Sequence, residues 1–187
     1  PKKREQGPVV ALVDTSSSMH GSPEIVAKAV VLALAKKMLK QERDVKVILF
    51  SGPKSTVEIE LTSKKKMAKE FLKFLEGSFG GGTDFNTALK AGLEALKQPA
   101  FKGADLLFIT DGDSVISDIS AINTWNTIKE EQGARVFSLI IDNNSDSVGG
   151  LSPISDHAYF IQKDRHWSLN NSPATMIRFI ASPKNPK

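Results

Sequence analysis

The sequence contains no cysteine. That excludes a disulfide-stapled scaffold, a thiolate zinc site and a cysteine nucleophile, and it is compatible with a reducing cytosol. No apolar stretch reaches the eighteen or so residues that a membrane-spanning helix needs. The nearest approach, residues 25–39, is broken by Lys28, Lys36 and Lys37. Charge of one sign is also scarce: 25 Lys and Arg stand against 21 Asp and Glu, a net of +4 spread thinly along the chain. Nucleic-acid binding needs clustered phosphate contacts, and so thin an excess does not argue for it on its own. Internal repeats and low-complexity segments are missing too. The chain opens Pro1-Lys2-Lys3-Arg4 without an initiator Met, so it reads as a piece of something longer, with any signal peptide outside it.

What remains is an ordinary globular composition, with 40% hydrophobic and 25% charged residues over 187 positions. That is enough chain for one domain with a core on both faces of a sheet. Residues 8–181 are expected to form it, between flexible segments at 1–7 and 182–187. Short apolar runs at 9–13, 45–50, 106–110 and 136–141 predict buried strands. Residues 158–161 predict a shorter one. At 56–61, Val57, Ile59 and Leu61 alternate with Glu58 and Glu60, the pattern of an edge strand. Helical spacing appears between these runs. Ser22-Pro23-Glu24 reads as cap, first-turn proline and first-turn acid of a helix carrying Ile25, Ala29, Leu32 and Ala33. Residues 64–76 predict an amphipathic helix with Met67, Phe71, Leu72 and Leu75 inward. A third helix runs through Ala88, Leu89, Leu93 and Leu96, and a fourth, 118–132, through Ile119, Ile122, Trp125 and Ile128. A last helix at 173–181 is capped by Ser172. Strands alternating with helices predict an α/β fold: a Rossmann-like, doubly wound, mostly parallel sheet with helices on both faces.

In such a sheet, ligands sit beyond the carboxyl ends of the strands, where the strand order reverses. Asp14, Ser16 and Ser18 follow the first strand. Thr83 follows a glycine-rich loop, residues 77–82, and Asp111 directly follows the strand at 106–110. Two carboxylates and three hydroxyls, with no imidazole or thiol, suit a hard divalent cation such as Mg2+, with Mn2+ or Ca2+ able to substitute.

Asp14-x-Ser16-x-Ser18, then Thr83, then Asp111, resembles the metal-ion-dependent adhesion site of von Willebrand factor A (VWA) domains, in the same order and across nearly the whole chain. Gly7-Pro8-Val9, Asp14-Thr15-Ser16 with Met19, and the alanine-rich stretch 25–39 further resemble the bacterial ViaA-like VWA proteins; Ser17 departs from the glycine usual there. The resemblance implies metal ligation by the hydroxyls of Ser16, Ser18 and Thr83. Asp14 and Asp111 would act mainly through water or hydrogen bonds, and one metal position would be left for an Asp or Glu of a partner protein. It also implies a cytoplasmic, non-enzymatic adaptor working with a MoxR-type AAA+ ATPase.

Competing readings exist for several of these residues. Asp14 and Asp111 could merely end strands and cap helices, with the serines satisfying turn backbone, but three segments would then have to agree by accident. Asp84 reads as a helix cap before it reads as a ligand. The glycine loop lacks the Lys-Ser/Thr of a phosphate-binding loop, so positioning Thr83 explains it better. His20 and Asp113 beside the site, and Asn143 and Asn144 in the long polar stretch 142–156, are candidates for partner contact. His157 and His166 have no companions at zinc-ligand spacing. Lys64-Lys65-Lys66 reads as a solvated helix face. An enzymatic alternative is a Mg2+-dependent phosphotransferase of the haloacid-dehalogenase type with Asp14 as nucleophile. That chemistry wants a second Asp as general acid where this chain has Ser16.

Overall fold

The structure, a computed structural model, describes residues 7–62, 68–112, 114–141, 148–162 and 172–182. Six strands form one sheet: β1 (Val9–Asp14), β2 (Val45–Phe50), β3 (Thr56–Leu61), β4 (Asp105–Thr110), β5 (Val136–Ile141) and β6 (His157–Ile161). Their order is β3-β2-β1-β4-β5-β6. Only β3 runs antiparallel, paired with β2 from Val45↔Leu61 to Phe50↔Thr56. Every residue of β1, β2, β4 and β5 is buried, which is why these strands read as mainly apolar runs rather than alternating ones. The edge strand β3 keeps its alternation over its second half, with Ile59 and Leu61 in and Glu58 and Glu60 out, whereas Val57, expected inward, is exposed.

Among the described residues, five α-helices cover the two faces: α1 (Ser22–Leu39), α2 (Ala68–Glu76), α3 (Phe85–Lys97), α4 (Ile119–Gln132) and α5 (Pro173–Ala181). One core layer joins Val9, Ala11 and Val13 of β1 to α1, α2 and α5; the other joins Val10 and Leu12 to α3 and α4. Phe50, Phe85 and Phe108 meet edge to face in the second layer, with ring centroids 6.1–6.3 Å apart. No helix among the described residues is long and apolar enough to cross a membrane.

Helix facing departs from the sequence expectation in three places. α1 buries Ala27, Val30, Val31, Leu34, Ala35 and Met38, while Ile25, Ala29 and Ala33 face water and Leu32 is half-buried. The helix is apolar nearly all round, so spacing alone does not choose its inner face. α2 turns Phe74 and, partly, Phe71 inward and leaves Leu72 and Leu75 exposed. α4 buries Ala121, Trp125 and Ile128 but exposes Ile119 in its first turn. The cap of α1 also shifts by one residue. Gly21, at φ +88°, stands at the cap and Ser22 is already helical. A side chain there would be strained, so glycine fits where serine was expected. Met67 and Lys64-Lys65-Lys66 lie outside the described residues, as do His166 and the terminal residues 1–6 and 183–187.

Candidate metal centre

β1 is flanked by β2 on one side and β4 on the other, both parallel to it. The chain winds outward in both directions from the β1–β4 pair, so their carboxyl ends flank the reversal point where a ligand crevice forms. Asp14 is the last residue of β1, and Asp111 comes one residue after the end of β4.

Asp14 is fully buried. Its Oδ2 accepts the Thr110 hydroxyl at 2.6 Å, and its Oδ1 accepts the Ser16 amide at 2.9 Å. Burial pushes the carboxyl above its ordinary pKa, the bonds from Thr110 and Ser16 oppose that, and the neighbouring charge of Asp111 adds to it. Ser16, also buried, places its Oγ 3.1 Å from the Oγ of Ser18. Two hydroxyl oxygens therefore come together in the turn that directly follows a carboxylate already oriented by its own hydrogen bonds. Thr15 is drawn the other way, its amide and hydroxyl both donating to the Phe50 carbonyl of β2, at 2.8 and 3.1 Å.

The glycine loop is tied to this turn. Ser17 donates its amide to the Gly81 carbonyl at 2.9 Å and accepts the Gly81 amide on Oγ at 2.7 Å, while Gly80 donates to the Thr15 carbonyl at 2.9 Å. Gly80 and Gly81 hold φ of +71° and +83°, which glycine adopts without strain. The loop backbone thus docks on the turn after β1, and Thr83 stands between Gly81 and Asp84, whose amide is fixed by the Ser51 carbonyl at 2.8 Å. Ser17 serves here as the fastener.

Asp84 is a cap. Its oxygens accept the Asn86 amide at 3.0 Å and the Thr87 hydroxyl at 2.6 Å. The third loop is braced by α3: Asn86 Oδ1 accepts the amides of Ser117 and Asp118, each at 3.0 Å, and Asp118 caps α4. From beyond β5, Gly150 forms an isolated parallel bridge with Val115. His20 is exposed and lies against Gly80, so it shares the rim. Asp113, Asn143 and Asn144 lie outside the described residues.

Thr110, Asn86 and Gly150 escaped the sequence reading. Thr110 is recognisable only once β4 is known to lie beside β1, where the register Val13↔Ile109 sets it opposite Asp14. Nothing in the local sequence marks Asn86.

The donor chemistry fits a hard divalent cation. All candidate ligating atoms are oxygens, and the charge of a cation would offset both the burial and the Asp111 repulsion that oppose ionisation of Asp14. Among the described residues no group of three or more His, Cys, Asp or Glu side chains is gathered in the manner of a zinc or carboxylate-cage site.

A family profile of the von Willebrand factor type A domain matches residues 9–114. The chain belongs to this family. Its relatives include the regulatory protein ViaA of Proteus mirabilis, 33% identical over 142 residues, which make up 76% of this chain and 29% of that protein. A protein of Methanocaldococcus jannaschii, MJ0077, is 37% identical over 153 residues, 80% of this chain and 36% of its own length. The chain thus spans about a third of the curated relatives it matches. Among solved structures, the conserved hypothetical protein BatB of Bacteroides thetaiotaomicron superposes with a TM-score of 0.65 at 19% identity, covering 94% of this chain and 97% of that one. The SpRpn10 VWA domain gives 0.62 at 14% identity, covering 84% and 88%. At such identities the likeness concerns the VWA fold alone.

Proposed function

We propose that this VWA domain is a Mg2+-dependent protein-binding module that captures an acidic residue of a partner protein. The observation that carries the reading is the buried Asp14 carboxylate, held on both oxygens and followed directly by the paired hydroxyls of Ser16 and Ser18. Ser16, Ser18 and Thr83 would hold the cation, with Asp14 and Asp111 supplying negative charge around it. When bound, the metal acts as a Lewis acid for an incoming carboxylate. Neutral hydroxyl ligands leave it attractive to that carboxylate, which a site saturated by its own acids would repel. Kinship with ViaA supports placing the domain in a cytoplasmic adaptor that works with a MoxR-type AAA+ ATPase.

The phosphotransferase alternative needs Asp14 to offer an oxygen to substrate. Its burial and its two short hydrogen bonds weigh against that, and no turnover of p-nitrophenyl phosphate is expected. The direct test is thermal unfolding of wild type and Asp14→Ala in chelator and in excess MgCl2. A ligand at about a hundred times its dissociation constant stabilises by about 2.7 kcal/mol, or roughly 5–10 °C for a domain of this size. The shift should appear in wild type and vanish in the variant. Equal behaviour of the two proteins, with and without an added simple carboxylate, would sink the reading.

A further inference from the structure

Four large apolar side chains face water along one shoulder of the metal rim: Ile25 is 70% exposed, Leu72 55%, Leu75 43% and Phe79 44%. Local geometry gathers them. Lys28 follows Ile25 by one helical turn on the same stripe of α1, and its ammonium donates to the Leu75 carbonyl at 2.6 Å. This bond fastens the start of α1 to the end of α2. Leu72 precedes Leu75 by one turn on the same stripe of α2. Phe79 follows in the glycine loop, next to Gly80, which lies against His20 and the Ser17 hydroxyl. The shoulder therefore begins beside the turn that bears Ser16 and Ser18 and continues down α2.

The core does not need these side chains. α2 is anchored by the fully buried Phe74, and α1 by the stripe from Ala27 to Met38. Two of the basic groups beside these side chains are already paired: Lys28 with Glu24 at 2.7 Å and Lys73 with Glu70 at 3.6 Å. Contiguous exposed apolar surface beside a ligand site marks an interaction surface.

We propose that this shoulder selects which acidic residue the site accepts. The partner segment is one whose metal-seeking Asp or Glu is flanked by apolar side chains, and these lie on Ile25, Leu72, Leu75 and Phe79. The inference rests on the metal reading above. Complementarity fixes the occupant's chemistry: the metal position takes a negative charge, and the exposed Ile25, Leu72, Leu75 and Phe79 next to it take apolar area. One carboxylate binds weakly alone, and the apolar centre that stable interfaces share would come from the shoulder.

The test is a phage-displayed peptide library with a fixed central Glu and random flanks, selected on the 187-residue chain in MgCl2 and separately in EDTA. The expected result is enrichment of apolar residues near the Glu in the MgCl2 selection. The selected peptides should bind about tenfold more weakly to Leu72→Gln combined with Leu75→Gln, and to Phe79→Ser as an independent variant. Glutamine keeps the helix propensity of α2, and the Mg2+-induced thermal shift should survive in both proteins. Absence of apolar enrichment, or unchanged affinity in both variants, overturns the proposal. Peptides held equally well in EDTA, or with Gln in place of the Glu, overturn the metal reading and the coupling built on it, an outcome distinguishable from failure of the shoulder alone. Dimerisation of the wild-type chain in sedimentation that Leu72→Gln with Leu75→Gln abolishes would assign the shoulder to a second copy and overturn the proposal as well.

Discussion

The Thr110 hydroxyl reaches across from the end of β4 to the Asp14 carboxylate at the end of β1, 2.6 Å away, and accepts the Gly112 amide on the same oxygen at 3.1 Å. One buried side chain thereby sets the orientation of the candidate metal's central carboxylate and the direction in which the Asp111 loop leaves the sheet. Valine matches threonine in shape but cannot donate. Thr110→Val should therefore leave a buried carboxylate oxygen without this donor and cost about 1–3 kcal/mol of stability near neutral pH. It should also raise the Asp14 pKa further above its ordinary value, because the lost bond favours the ionised form. The deficit relative to wild type shrinks as pH falls and Asp14 protonates. Urea unfolding of both proteins in EDTA at several pH values checks this, and a deficit independent of pH would contradict it.

Asp84 provides the contrasting case. Its carboxylate spends its hydrogen bonds on Asn86 and Thr87 at the start of α3. Asp84→Ala should lose about 0.5–2 kcal/mol, the usual cost of removing a helix cap. The stabilisation by excess MgCl2 should stay close to that of wild type, whereas Asp14→Ala loses it. Thermal scans of the two variants side by side separate cap from ligand; an Asp84→Ala protein blind to Mg2+ would move Asp84 into the metal's coordination.

The difference between these aspartates was partly legible before any coordinates. Asp84 precedes a helical stripe and reads as a cap, and Asp14 ends a valine-rich run and reads as a rim residue. The strands were legible for the same reason: four of them are buried on both faces and are therefore apolar at most positions. The facing of α1 was not. Ile25, Ala29 and Ala33 are as apolar as the stripe that is buried, and only the position of the helix over β1 and β2 decides between them. The expectation for Leu72 and Leu75 failed because α2 has apolar side chains on two adjoining stripes, and the phenylalanine stripe takes the core. Thr110 illustrates a third limit: its role depends on which strands are neighbours, a long-range fact that no window of sequence contains.

At the far edge of the sheet, His157 stacks on Phe137 with ring centroids 5.1 Å apart and meets Phe179 edge-on at 4.9 Å. The Arg135 guanidinium lies over the same two phenylalanine rings. Burial lowers the His157 pKa below its ordinary 6.5, Asp156 opposes this, and Arg135 reinforces it. The unfolded chain therefore binds the proton more readily than the folded one just below that value. The contribution of His157 is fully present above pH 6.5 and is lost as pH falls from there through the folded pKa. Proton NMR titration should place the His157 ring below 6.5, and His157→Phe should flatten this part of the stability profile. A ring titrating above 6.5 would contradict the packing described here.

Gly150 tests whether the segment after β5 holds the Asp111 loop in place. A Cβ at this position would overlap the Ser114 carbonyl oxygen and the Val115 Cα, both backbone atoms that cannot rotate away. The adjacent Gly149 sits at φ +52°, with the Gly112 carbonyl oxygen 3.5 Å from where its own Cβ would stand. Gly150→Ala must therefore push the loop between Asp111 and Asp118 off its seat, at a cost of about 1–3 kcal/mol as for other overpacked contacts. Asp14, Ser16 and Ser18 lie on a different loop and keep their geometry, so the displaced Asp111 should show as weaker Mg2+ binding rather than as its loss. Isothermal titration at a temperature well below unfolding separates the two effects. A variant that is destabilised yet binds Mg2+ like wild type would mean that Asp111 is placed by Thr110 and β4 alone, and that the bridge between Val115 and Gly150 serves stability only.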